Sequence, residues 1–269
     1  MLRFSVNISM LFKEVDFLDR FERTARAGFD AVEFLWPSGV DLGELVQAKE
    51  SASVKVALFN VDAGDMPAGD RGFLSDPTRR DWWRERFGVA LELAGRLDCP
   101  RLNVLAGNAI AGIDREAQID CLVDNLCWAI PQSERAGITL LLEALNLLEH
   151  PRYLFVHSAE VLAVLERIGS PTAQFQYDAY HMQRMEGNIT ATLRDCIDRV
   201  GHIQVADSPD RHEPGTGEID YRYVLAEIER LGYKGYIGLE YNPSGVSEDS
   251  FAWLPPDKRK SATAADLIL

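Results

Sequence analysis

Thr139-Leu140-Leu141-Leu142-Glu143-Ala144-Leu145-Asn146 is the stretch on which the fold turns. It opens on four β-branched or apolar residues with no polar alternation. A strand buried on both faces reads this way, because neither side meets water. Such strands belong to parallel sheets covered by helices. The run then ends on an acid, Glu143, where a packed strand has no structural use for a charge.

Seven further runs of the same kind lie outward from it, at residues 3–8, 31–35, 55–60, 101–105, 173–177, 202–206 and 236–241; the first run itself spans 139–145. Amphipathic stretches separate them, at 16–27, 42–51, 79–96, 115–135, 159–168, 189–199 and 221–231. In the first of these, Phe17, Leu18, Phe21 and Ala25 share one face, and Arg20, Glu22 and Arg23 lie outside it. Gly28, Gly137, Gly169, Gly201 and Gly232 follow these stretches and read as helix C-caps. Alternation of this kind predicts parallel βαβ units. Eight units in 269 residues predict an α/β protein, a single (β/α)8 TIM barrel. A doubly wound sheet would carry a glycine-rich turn after its first strand, where this chain has Asn7-Ile8-Ser9-Met10-Leu11-Phe12. The expected barrel covers residues 1–254, and the tail 255–269 is expected to be loosely held.

Bulk composition narrows the function. Apolar residues make up 46% and charged residues 26%, as in soluble globular proteins. No run is long and apolar enough for a membrane helix. The N-terminus lacks the apolar core of a secretory signal. Cys99, Cys121, Cys127 and Cys196 form no Cys-x-x-Cys pair, and are expected to be small core residues of a reducing, cytoplasmic setting. The net charge of −14 leaves a poor supply of phosphate-neutralising groups, so neither nucleic acid nor membrane is expected as a partner. A homo-oligomer is compatible with these numbers.

In a barrel, function sits at the C-terminal ends of the strands. Four successive strands end there on oxygen-bearing groups. They carry Glu143, Asp178, one of His202, Gln204 or Asp207, and Glu240. A buried carboxylate without a partner costs several kcal/mol, and three converging ones repel each other as well. One divalent cation relieves both penalties, and all-oxygen donors favour Mg²⁺ or Mn²⁺. The alternative is that each acid caps a helix or pairs with an arginine. Arg211, on the loop that leaves the seventh strand, is placed to hold a substrate carboxylate. Asn7, Phe34, Trp36 and Asn60 stand at other strand ends as candidates for the pocket wall. The glycine-rich segment 63–72, which contains Arg71, is long enough to form a lid.

The segments MLRFSVNISMLF (1–12), GFDAVEFLWP (28–37), ALFNVDAGDMPAGDRG (57–72), LLLEALN (140–146), QYDAYHMQRMEGN (176–188), HIQVADSPDRHEPGTGEIDY (202–221) and GYIGLEY (235–241) together resemble the hydroxypyruvate isomerase family of xylose-isomerase-like barrels. The resemblance runs from Met1 to about Trp253. It implies one divalent metal on Glu143, Asp178, Gln204 and Glu240, which singles out Gln204 on the seventh strand. It implies that Glu143 and Glu240 handle the proton, and that His181 contacts substrate; Arg211, Asn7, Asn60 and Arg71 are expected from their positions as further substrate contacts. The implied partner is a small hydroxy-oxo acid, whose enediolate the metal would steady. "PDRHEP" is similar to the 2-oxo-tetronate isomerase branch, and "YHMQRMEGN" to hydroxypyruvate isomerase. Asp210-Arg211-His212 is also similar to a metal-binding string of endonuclease IV, whose remaining histidines this chain lacks.

Overall fold

The computed structural model describes residues 1–269. Its strands are β1 (Phe4–Asn7), β2 (Ala31–Phe34), β3 (Lys55–Asn60), β4 (Arg101–Asn103), β5 (Thr139–Glu143), β6 (Ala173–Asp178), β7 (Val200–Val205) and β8 (Ile237–Leu239). They close into one barrel in sequence order, all pairs parallel, with β8 back on β1. Helices α1 (Asp19–Arg26), α2 (Leu42–Ala52), α3 (Arg80–Leu97), α4 (Arg115–Ala136) and α5 (Ser158–Ile168) follow the first five strands in turn; α6 (Ala179–Met185) and α7 (Ile189–Cys196) follow β6, and α8 (Tyr221–Arg230) follows β7. The strands are buried along nearly their whole length because helices cover the outside and side chains fill the inside. One continuous apolar cluster joins the helices to the outer face of the barrel. No helix is long and apolar enough to cross a membrane.

The expected barrel is present, with element ends shifted by a few residues. Helix α6 is the one α-helix that periodicity did not announce. Asp178 closes β6 and caps α6 at once. Its Oδ1 accepts the Tyr180 N–H at 2.8 Å and the His181 N–H at 3.3 Å. A helix of seven residues is too short to show an amphipathic period. Gly137 and Gly169 end α4 and α5 at φ of 69° and 66°, as expected of C-caps. Gly201 does not end a helix but lies inside β7, where a Cβ would meet Leu141 Cδ2 at 2.6 Å.

Two further expectations are corrected. The tail after Pro255 is docked, not loose. Ala262 exchanges backbone hydrogen bonds with Leu2, Ile268 N–H donates to Trp253, and Leu267 joins the core cluster. Lys258 pairs with Asp266 at 3.1 Å. Small and charged residues gave this segment no periodic signal, and what holds it is largely backbone pairing with Leu2, ahead of the first strand. Cys99, Cys121 and Cys196 are buried as expected, but Cys127 is exposed on the solvent side of α4.

Candidate active site

Closure of the barrel brings the predicted acids to one point. Glu143 ends β5, Asp178 ends β6 and Glu240 follows β8. Each of these three and His181 offers one ligand atom, and the four atoms lie within 4.8 Å of one another. All four side chains are buried. Asn103 Nδ2 donates to Glu143 Oε2 at 2.8 Å. Glu240 Oε1 accepts from Asn7 Nδ2 at 2.8 Å and from Gln204 Nε2 at 3.0 Å. Asp178 Oδ2 is buried with no hydrogen-bond partner.

Electrostatics mark the cluster as short of positive charge. Burial, and then the neighbouring Asp178, pushes Glu143 up to about 8. Burial also raises Asp178 and Glu240, although Arg211 pulls both down. The Arg211 guanidinium lies 2.8 Å from Glu240 Oε2, 3.1 Å from Glu149 Oε2 and 3.7 Å from Asp178 Oδ2. Burial works against its charge, but these three acids more than offset that and raise it. One guanidinium cannot neutralise three carboxylates, so a divalent cation fits this donor set.

The loop after β7 carries Arg211 to the cluster by its backbone. Arg211 adopts the left-handed φ of 57°, a conformation that costs a non-glycine residue and persists only where its surroundings impose it. Asp207 imposes it here. Its carboxylate accepts backbone N–H groups of Ser208, Gly215 and Ile219, and its carbonyl accepts the Arg211 N–H. Of the three strand-seven candidates, Asp207 therefore anchors a loop, His202 faces Glu33, and Gln204 reaches the acid cluster.

His181 stands among the acids, where its ring is a donor. The Asn146 backbone N–H donates to His181 Nδ1 at 3.3 Å, so in the neutral ring the proton sits on Nε2. Burial, and then Arg211, holds this histidine well below its usual range. Its Nε2 lies 3.5 Å from Asp178 Oδ2.

A layer of polar residues underlies the cluster, where bulky branched side chains usually fill a barrel. Glu33 on β2 is fully buried and was not anticipated as a site residue. It accepts from Ser5 Oγ at 2.7 Å and Gln204 Nε2 at 2.8 Å, and lies 2.8 Å from His202 Nε2. Gly238 leaves it room, since a Cβ there would collide with both carboxylate oxygens. The available signal was an acid inside the apolar run Ala31-Val32-Glu33-Phe34. Glu149 and His150 were missed as well, because no strand end places them; the loop after β5 does.

A cavity of about 90 Å³ opens over the acids, and its polar wall is made of Glu143, Glu240, His181, Arg211, Arg71 and Asn60, with His150 beside them. Asn7 is not on this wall; it lies below and supports Glu240. Phe34 stacks on Phe59 in the core with ring centres 5.4 Å apart. Trp36 lines a neighbouring groove and not the cavity. The segment 63–72 is a fixed wall, not a free lid. Gly72 N–H donates to Ala63, Asp70 N–H to Asp65, and Asn108 Nδ2 to Gly69. A larger open cavity of about 460 Å³ lies at the other end of the barrel, near the start of β6, and no acid cluster faces it.

A family model described as xylose isomerase-like TIM barrel matches residues 21–256. The hydroxypyruvate isomerase of Escherichia coli (strain K12) is 40% identical over 256 residues, covering 95% of this chain and 99% of that one. The chain belongs to the hydroxypyruvate isomerase family. Its similarity extends to the 2-oxo-tetronate isomerase of Pectobacterium atrosepticum, also 40% identical, over 95% of this chain and 98% of that one. Among solved structures, a Brucella melitensis protein described as AP endonuclease, family 2, superposes with a TM-score of 0.91 at 38% identity, over 94% of this chain and 98% of that one. The four positions that resemble the hydroxypyruvate isomerase ligand set share one end of the barrel: Asp178 is paired with Gln204 across β6 and β7, and Gln204 touches Glu240.

Proposed function

We propose that the chain is a divalent-metal-dependent isomerase that interconverts hydroxypyruvate and tartronate semialdehyde (2-hydroxy-3-oxopropanoate). The observation that carries this reading is the convergence of three buried carboxylates, one with an unpartnered oxygen, beneath a small cavity that also holds two arginines. The cavity is small and lined by acids, arginines and histidines, which suits a small organic acid and not a strand of nucleic acid. Glu143, Asp178, Gln204 and Glu240 would hold Mg²⁺ or Mn²⁺. The bound cation supplies Lewis-acid polarisation of the substrate oxygens.

The protein's own groups account for the proton transfers. One of Glu143 and Glu240 takes a proton from carbon 3, and the electrons of that C–H bond form the enediolate. The other delivers a proton to carbon 2, while the carbon 3 hydroxyl proton passes to the carbon 2 oxygen. In the metal-free site burial raises both glutamates, so each can hold a proton as well as a charge. His181, with its proton on Nε2, donates to a substrate oxygen. The surrounding burial excludes water from the enediolate.

The four-carbon 2-oxo-tetronate is the second reading, and equal identity to a 2-oxo-tetronate isomerase supports it. The four free cysteines support a cytoplasmic setting. Metal-stripped protein would be assayed on hydroxypyruvate, 2-oxo-tetronate and ketohexoses, with Mg²⁺ or Mn²⁺ restored, and deuterium uptake at the substrate carbon followed by NMR. Metal-dependent turnover and exchange on a hydroxy-oxo acid are expected. Absence of both on every substrate rejects the proposal, as does full activity of Glu143→Gln and Glu240→Gln.

A further inference from the structure

Two guanidinium groups line the cavity, and they differ in what already surrounds them. Arg211 faces Glu240, Glu149 and Asp178. Arg71 forms no ion pair at all, in a chain with fourteen more negative than positive charges. Its Nε–H donates to His150 Nδ1 at 2.9 Å, and its Nη1 donates to the carbonyls of Met66 and Asp70 at 2.9 and 2.6 Å. Its Nη2 has no protein partner. The segment that carries it is pinned, because a Cβ on Gly72 (φ 88°) would strike the Leu105 backbone and one on Gly64 (φ 85°) would strike Asp70 and Phe73. The guanidinium is therefore oriented before any ligand arrives, and no carboxylate is in ion-pair contact with it, the neighbouring Asp70 acting on it only at longer range.

We infer that Arg71, held in place by His150, takes the carboxylate of the substrate, and that Arg211 stays with the acid cluster. This rests on the hydroxy-oxo acid chemistry proposed above and says which end of that substrate is read. A carboxylate approaching Arg211 meets Glu149 and Glu240 as well, and their repulsion cancels the attraction. One approaching Arg71 meets a guanidinium with no acid in ion-pair contact, whose Nη2 hydrogens no protein group takes, so they are open to a carboxylate oxygen. Because His150 Nδ1 accepts from an arginine that is always charged, that nitrogen carries no proton, and His150 acts as a positioning residue. The acid end of the substrate then lies toward the segment 63–72, and the reacting carbons lie toward Glu143 and Glu240.

The test compares wild type, Arg71→Met, Arg71→Lys, His150→Phe and Arg211→Met, each loaded with Mn²⁺. Glycerate, which has the carboxylate and cannot isomerise, and glycerol, which lacks it, are titrated by calorimetry. Arg71→Met should weaken glycerate roughly 10- to 100-fold and leave the weak binding of glycerol unchanged. Arg71→Lys should raise KM for the acid substrate while kcat changes by less than about 3-fold, the signature of lost uniform binding. His150→Phe should raise the same KM less than Arg71→Met does, again at nearly constant kcat. Unchanged glycerate affinity in Arg71→Met overturns the inference, as does equal loss of both probes, a glycerate loss confined to Arg211→Met, or a wild type that does not bind glycerate. Calorimetry needs no turnover, so an Arg71-dependent acid site in a protein without isomerase activity would reject the proposed reaction and keep the carboxylate site.

Discussion

Glu143→Gln should make the metal-free protein more stable and the metal-loaded protein inactive. Glu143 is buried on β5, and its carboxyl is pushed from 4.5 to about 8, by burial first and by Asp178 second. At about 1.36 kcal/mol per pH unit, holding its charge in the folded state costs roughly 5 kcal/mol at most. Asp178 and Glu240 share that strain, so one substitution should return about 1–3 kcal/mol. Glutamine can keep the Asn103 contact through its oxygen and turn its NH₂ toward the unpartnered Asp178 Oδ2. For a chain of this length, 1 kcal/mol moves Tm by about 2–4 °C. The expected rise is therefore about 2–12 °C in EDTA at pH 8. In wild type, Mn²⁺ should raise Tm through binding to the folded state; in Glu143→Gln most of that gain should vanish, along with turnover. Differential scanning fluorimetry with EDTA or Mn²⁺, beside the isomerase assay, reads all three quantities. A variant less stable than wild type in EDTA, or one that Mn²⁺ stabilises as fully as wild type, refutes the argument that these carboxylates are held against their own repulsion for a cation.

Other outcomes follow from the same geometry. In EDTA, wild-type stability should fall as pH rises from about 6.5 to about 8, because the folded Glu143 holds its proton through that window and the unfolded one does not, whereas below 6.5 the lowered His150 and His181 act in the opposite direction. Urea titrations across that range check the sign, and a flat or rising profile contradicts it. Asp178→Asn should lose Mn²⁺ binding by calorimetry yet keep or raise its EDTA Tm, since asparagine caps α6 as well as aspartate does and removes one of the buried charges. Gly238→Ala should cost about 2–4 kcal/mol, because its Cβ displaces the buried Glu33 carboxylate from Ser5, His202 and Gln204; denaturant unfolding within about 0.5 kcal/mol of wild type would show that Glu33 yields easily.

Aspartate 178 shows why two readings of one residue need not compete. The sequence left open whether each acid caps a helix, pairs with an arginine or binds a metal. In the structure Asp178 Oδ1 caps α6 while Oδ2 turns into the cluster, and Glu240 pairs with Arg211 while sharing that cluster. A carboxylate has two oxygens, and a chain read in one dimension cannot say where each points. Gln204 is similar: its period-two face was legible, but its contacts with Glu33 and Glu240 were not.

The sequence by itself determined the barrel, since continuous apolar runs alternating with amphipathic stretches leave a closed parallel sheet as the economical way to bury both faces of every strand. It also determined that three acids stand at strand ends, where such a barrel gathers them. Only the tertiary structure decided which groups meet across the interior. Glu33 and His202 come from β2 and β7, strands that are not neighbours, and touch because the barrel closes around a glycine. The loops decided the rest. Arg211 reaches the acids through a left-handed backbone set by Asp207, and Arg71 is aimed by His150 from another loop. Hydrophobic period reports which way a residue faces along its own strand. It carries no information about the tilt, the closure and the loop paths that put two distant side chains within a hydrogen bond of each other.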